Sequence, residues 1–245
     1  MENFSSLQSL NMNMWEFWVG TLVFSMIAYM IGSISGGKIV SKAWKVDLAE
    51  HGSGNFGATN AGRVHGPIGF LVVFLIDFSK GLVAALSIGA VRIWGSHPIF
   101  IEGNVNIALF FVVVGHSWPL WFKFQGGKGV ATTFGVAAVI NWIFALAGGI
   151  TFIIMILATK KVSLSSIVAI VMMAVLSPLQ MFIPLDFVFE WSKDWGMVVS
   201  FWLMAGLSLF RHRENIYRLI KGEESTATAP DFNRKPIKGN DNEAK

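Results

Sequence analysis

Four stretches of this chain combine residue types and spacings that could do chemistry. Residues 51–63, HGSGNFGATNAGR, hold Gly52, Gly54 and Gly57 among Ser53, Thr59, Asn60 and Arg63. Glycine lets backbone N–H groups crowd round an anion, hydroxyls add donors, and an arginine forks onto phosphate. Residues 126–132, GGKGVAT, set Lys128 among Gly126, Gly127 and Gly129 just before an apolar run. A lysine at a helix start is a good place for an anion. In residues 211–220, RHRENIYRLI, helical spacing puts Ile216, Leu219 and Ile220 on one stripe, with His212 inside it and Asn215 at its border. Finally, Asp77 and Lys80, three apart, interrupt an otherwise apolar stretch and can pair. Each also has a plain reading: a flexible loop, a basic interfacial loop, a buried histidine in a basic anchor, and a structural ion pair. Taken together, Ser53, Thr59, Asn60, Arg63, Lys128, His212 and Asn215 suit a phosphorylated polar substrate meeting an acyl or lipid substrate.

Two nucleotide-binding readings fail. Gly52, Gly54 and Gly57 spell G-x-G-x-x-G, and Asp77 follows where a ribose-binding acid would sit. The fingerprint needs an apolar strand before it, and residues 45–51, KVDLAEH, are not one. Residues 122–129 miss the phosphate loop of nucleotide hydrolases, with Phe at 122 and Gly at 129 where Gly and Ser or Thr are needed.

The elements that must position these groups follow from composition. The chain has 245 residues, 53% hydrophobic and 14% charged, with 21 Phe and 10 Trp. Mean hydropathy is +0.57. Ordinary soluble domains carry about 25% charge. This chain cannot hide so much apolar surface in water, so it reads as an all-α integral membrane protein. It has 0 Cys, which excludes disulfides, thiol catalysis and zinc–thiolate sites.

Residues 17–37, 103–122, 131–159, 162–185 and 195–210 lack Asp, Glu, Lys and Arg, and 67–91 has only Asp77 and Lys80. A span needs about 20 apolar residues. Residues 131–159 are too long for one span and too short for two full ones, and Asn141, Gly148 and Gly149 allow a break. A short helix pair there gives about seven transmembrane helices. One side then receives 16 of the 19 Lys and Arg, which sets the N-terminus outside and the C-terminus in the cytoplasm. The first ten residues carry no Lys or Arg, so no cleaved leader is expected. Residues 1–221 form a single transmembrane domain, and 222–245 read as a disordered cytoplasmic tail without a catalytic role.

These segments resemble the PlsY-type family of bacterial membrane acyltransferases, which move an acyl group from acyl-phosphate to glycerol-3-phosphate. The resemblance rests on residues 32–34, 52–63, 77–81, 115–119, 126–132 and 211–219, in family order over about 190 residues. It implies seven membrane helices in the plasma membrane, a site facing the cytoplasm, and neither metal nor coenzyme. It implies a catalytic set of Ser53, Arg63, Lys128, His212 and Asn215. Gly52, Gly54, Thr59, Asn60, Gly126 and Gly127 would bind phosphate, and Glu214 would be structural. The expected partners are glycerol-3-phosphate, acyl-phosphate and membrane lipid, with no nucleic acid, for a monomer. The implied product is 1-acyl-glycerol-3-phosphate, by direct transfer with the leaving phosphate taking the proton. A Ser53 nucleophile with His212 as base is the competing scheme, and a transporter for a phosphorylated solute is the alternative function.

Overall fold

The computed structural model of the chain describes residues 14–94, 105–182 and 195–226. The first ten residues, Lys193 and the tail from 227 onward lie outside the described residues. Those described are helical, joined by turns: α1 Met14–Gly32, α2 Gly36–Trp44, α3 Ala58–Trp94, α4 Val105–Ser117, α5 Val130–Ile140, α6 Trp142–Thr159, α7 Val162–Leu176, α8 Trp195–Arg211 and α9 Arg213–Ile220. Four segments are long and apolar enough to cross a membrane: Met14–Trp44, Ala58–Val91, Trp142–Thr159 and Val162–Met181. Asn106–Phe122, Val130–Ile140 and Trp195–Arg211 are shorter apolar helices.

Local chemistry places the breaks. α1 stops before Ser35, whose hydroxyl caps α2 by accepting from Lys38 N at 3.3 Å. α3 is interrupted at Gly66, whose φ of 71° precedes Pro67, which has no N–H to give. The awkward 131–159 stretch breaks at Asn141, while Gly148 and Gly149 stay helical. Asn141 ends α5 in an extended conformation and its side chain accepts from Ile143 N and Phe144 N, so one residue stops one helix and starts the next. Lys160 in the left-handed region ends α6, and Lys161 begins α7.

α1 packs along α4, α3 along α5, and α6 along α7. Glycines set the first two contacts. A Cβ on Gly32 would meet Val112 O and one on Gly115 would meet Tyr29 O, so α1 and α4 approach backbone to backbone. Gly81 and Gly135 face Thr132 O and Phe78 O in the same way across α3 and α5. The main core draws Phe24, Ile88, Leu109, Ile140, Met173 and Phe201 from six helices. A second core of Val40, Leu48, Phe56, Ala61 and Val73 lies under the glycine-rich segment at 51–63. That segment therefore rests on its own apolar base. Phe56 is buried there with the Lys38 ammonium 3.7 Å from its ring centre.

Candidate active site

Residues from every one of the three polar segments line one cavity of about 510 Å³. Ser53, Thr59, Asn60, Arg63, Lys128, His212 and Asn215 all reach it. The cavity has two parts. Its polar end is made by these side chains with Ser163 and Glu224. Its apolar trough runs along Phe70, Phe74 and Phe78 of α3, Phe134 and Ala138 of α5, and Leu146, Ile150 and Ile153 of α6. Residues 70 to 78 and 146 to 153 each cover about 11–12 Å of helix. Leu146, Ile150 and Ile153 are exposed, so the trough borders the apolar outer surface.

The glycine-rich segment is held by one amide. Asn60 is buried; its Oδ1 accepts from Ser53 N at 2.7 Å, and its Nδ2 donates to Leu48 O and His51 O, both at 3.0 Å. The Asn60 side chain is thus committed to folding the loop. Expected to bind phosphate, Asn60 reaches the cavity wall with its amide spent as a latch on the loop. Gly52 and Gly54 have φ of 62° and 69°, and a Cβ on Gly52 would strike the Asn60 amide. Both shape the turn that presents Ser53 rather than lining the cavity. Ser53 is exposed and its hydroxyl has no protein partner among the described residues. Arg63, one and a half turns into α3, points a guanidinium N–H at Ser225 Oγ, 2.7 Å away.

The Gly-Gly-Lys segment is fixed from behind. Arg211 donates from Nε to Gly127 O and from a terminal nitrogen to Gly126 O, both at 3.0 Å. Gly127 N donates to His116 O at 3.1 Å, and a Cβ on Gly127 would strike the His116 ring. Gly126 and Gly127, expected to bind phosphate, are therefore buried against His116 and Arg211, and the glycine on the cavity wall is Gly129. The physical reason is space: only a residue without a side chain lets this backbone lie on the end of α4.

Lys128 reaches across to α9, where its ammonium donates to Asn215 Oδ1. Burial pushes the lysine down to about 8; Glu224 opposes that shift, while Arg218 and Arg63 add to it. His212 is buried at the turn between α8 and α9. Its Nδ1 lies 2.8 Å from Ser208 O, and a carbonyl can only accept, so Nδ1 carries the proton and Nε2 is left as an acceptor. Burial, then the Lys128 charge, pushes this imidazole down to about 3. It is neutral at any cellular pH.

Glu224 is the residue that sequence reading missed. Gly222 turns with φ of 73°, and the chain folds back over α9. Glu224 is buried: Oε1 accepts from Asn215 Nδ2 and Ser163 Oγ, both at 2.7 Å, and Oε2 accepts from Arg218 Nε at 2.8 Å. Burial alone would raise this carboxyl, but these three donors and the Arg218 charge hold it below its ordinary value. Glu224 and Ser225, expected within a loose tail, contact the site instead. An acid four residues past an amphipathic helix gives no hint that the chain turns back.

The Asp77–Lys80 pair forms as the spacing predicts, at 2.9 Å, and both residues are buried. The structure adds two partners. Lys80 Nζ donates to Ile34 O at 2.7 Å, and the His116 ring lies 3.4 Å from Asp77 Oδ1. This cluster joins the break between α1 and α2 to α3 and α4, and through His116 it backs the Lys128 loop.

The chain resembles known proteins over most of its length. A sequence model of the family described as glycerol-3-phosphate acyltransferase matches residues 22–222. The glycerol-3-phosphate acyltransferase of Shouchella clausii (strain KSM-K16) is 40% identical over 201 residues, covering 82% of this chain and 92% of that protein. That of Staphylococcus aureus (strain Newman) is 38% identical over 207 residues, covering 83% and 96%. Crystal structures of PlsY (YgiH), an integral membrane glycerol 3-phosphate acyltransferase, are similar at 32% identity over 84% of this chain and 94% of theirs. TM-scores are 0.70 for its glycerol 3-phosphate form and 0.68 for its lysophosphatidic acid form. With the family matched over most of its length and the fold shared, the chain belongs to the glycerol-3-phosphate acyltransferase family.

Proposed function

We propose that the protein transfers a fatty acyl group from acyl-phosphate to the sn-1 hydroxyl of glycerol-3-phosphate, releasing lysophosphatidate and phosphate. The observation that carries this reading is a single cavity in which an apolar trough meets Arg63 and Lys128. The carboxyl-proximal part of a long acyl chain would lie along the trough, and the cations face the phosphates at its end. The two substrates share one charge and one end of the cavity, so two cations are needed to hold them close.

The reaction asks little of the protein beyond placement. The acyl-phosphate is an activated mixed anhydride. The glycerol hydroxyl oxygen forms the new ester bond at the acyl carbon, the carbon–oxygen bond to phosphate breaks, and the departing phosphate takes the hydroxyl proton. Arg63 and Lys128 balance the phosphate charge as it grows on the leaving group. Ser53, Thr59 and Asn215 orient the phosphates. His212, proton on Nδ1, offers Nε2 to the hydroxyl as an acceptor that aims it; at about 3 it is too weakly basic to be a strong proton acceptor. Direct transfer is favoured over an acyl-serine because burial leaves His212 weakly basic and the Ser53 hydroxyl makes no hydrogen bond to a base among the described residues. In the membrane we infer seven spans, with the C-terminus and the site on the cytoplasmic side, because that arrangement collects 16 of 19 basic residues there.

The test is a donor comparison. Detergent-purified protein is given labelled glycerol-3-phosphate with palmitoyl-phosphate, palmitoyl-CoA or palmitoyl-carrier protein. Lysophosphatidate from the acyl-phosphate alone is the expected result. Product from the thioesters instead would overturn the donor assignment, and no product from any donor would favour transport of a phosphorylated solute.

A further inference from the structure

Asn215 stands between two groups of opposite hydrogen-bonding capacity. An ammonium can only donate, and an ionised carboxylate can only accept. The amide therefore has one orientation that satisfies both neighbours: Oδ1 to Lys128 and Nδ2 to Glu224. Glu224 is itself locked, with Ser163 Oγ on the same oxygen as Asn215 and Arg218 Nε on the other. The order Ser163–Glu224–Asn215–Lys128 runs from α7 through the returning chain and α9 to the start of α5.

We propose that Glu224 is a positioning residue of the catalytic centre, holding the Asn215 amide with its oxygen towards Lys128 and keeping that lysine charged. This rests on the reading of the site given above, but the positioning can be measured without turnover. Without the carboxylate the amide is free to turn and present its NH₂ to the ammonium, which would push Lys128 away. The lysine would also lose the negative charge that favours its ammonium most. The other charged and titratable groups facing it are Arg218 and Glu214 of α9, Arg63 of α3 and His212. Arg218 and Arg63 disfavour the ammonium, and Glu214 is the weakest of the influences on it. Glu224 is thus the acid that offsets two arginines, which explains why a carboxylate is buried beside a phosphate-binding end at all.

The experiment is competitive acetylation of Lys128 with acetic anhydride across pH, read by mass spectrometry on the full chain in detergent. In Glu224→Gln the Lys128 titration midpoint should fall by about one pH unit. The double variant Asn215→Asp/Glu224→Gln should return it to the wild-type value or above. In parallel, kcat for acyl-phosphate and glycerol-3-phosphate should drop about tenfold in Glu224→Gln, with the alkaline limb of the pH profile moved the same way. An unchanged midpoint in folded Glu224→Gln overturns the proposal. Where that variant does not fold, Glu224→Asp serves: its shorter arm should lower the midpoint by a few tenths of a pH unit, and a wild-type midpoint overturns the proposal. A wild-type protein inactive with every donor, combined with a shifted midpoint, would sink the reaction assigned to the site and leave the positioning role standing.

Discussion

Two buried clusters in this molecule pair acids with lysines, and they are built differently. In the Asp77–Lys80–His116 cluster the carboxylate and ammonium touch at 2.9 Å, and the remaining lysine capacity goes to Ile34 O. The charges cancel. In the Lys128–Asn215–Glu224 chain an amide is inserted between the ions, and Arg218 takes the second carboxylate oxygen. The acid supports the lysine from behind without neutralising its face. The first arrangement makes a joint between helices. The second leaves a cation available to an incoming anion. The lesson is that burial and pairing alone do not tell a structural charge from a working one; what separates the ions does.

The sharpest way to break the contrast is to remove Lys128 of the second cluster or Arg63, which faces the same cavity. Arg63→Ala and Lys128→Ala should each lower kcat/KM at least about a hundredfold while the proteins stay folded. Steady-state assays on purified variants measure this, and near-normal turnover would dissolve the phosphate clamp. Arg63→Lys should also be poor, since lysine lacks the planar fork.

The opposite pattern is expected in the first cluster. Lys80→Met leaves the buried Asp77 without its ammonium and should cost about 3–5 kcal/mol of stability, whereas Asp77→Asn with Lys80→Met should cost much less. Thermal unfolding in detergent reports it. Equal losses in the single and double variants would show that the two charges do not act as a pair.

The joint also backs the Lys128 loop, which Gly127→Ala tests. The added Cβ meets the His116 ring, so kcat and Tm should fall together. A selective rise in KM for glycerol-3-phosphate with unchanged Tm would instead place Gly127 against the substrate. For pH, Lys128 loses its charge as pH rises through about 8, so kcat/KM should decline on the alkaline side near that value. A profile flat to pH 10 would contradict a working ammonium. The smallest effect belongs to deletion of 227–245, which should leave activity unchanged.

The apolar runs were legible because a bilayer requires about 20 uncharged residues per span, and composition records that directly. The Asn141 break was legible in part: the length of 131–159 demanded one, and a capping residue stood within it. That Ser53, Arg63, Lys128, His212 and Asn215 would meet was legible because their three segments fall on one side of the expected spans, and the structure brings them to one cavity. Their neighbours are placed differently. Gly126 and Gly127 share those segments but are turned inward, and Asn60 reaches the cavity with its amide already engaged, because a loop that presents a ligand must also be tied down.

By itself, then, the amino-acid sequence determined the medium, the helical class and which polar segments carry groups suited to an anion, since each follows from local composition and spacing. Tertiary structure alone decided that Glu224 returns to Asn215, that Arg211 and His116 carry the Lys128 loop, and that Asn60 is a latch. Those assignments depend on which polar atoms meet across dozens of residues of chain, and the hydrogen-bonding capacity of a side chain says nothing about its partner until the fold brings one within 3 Å.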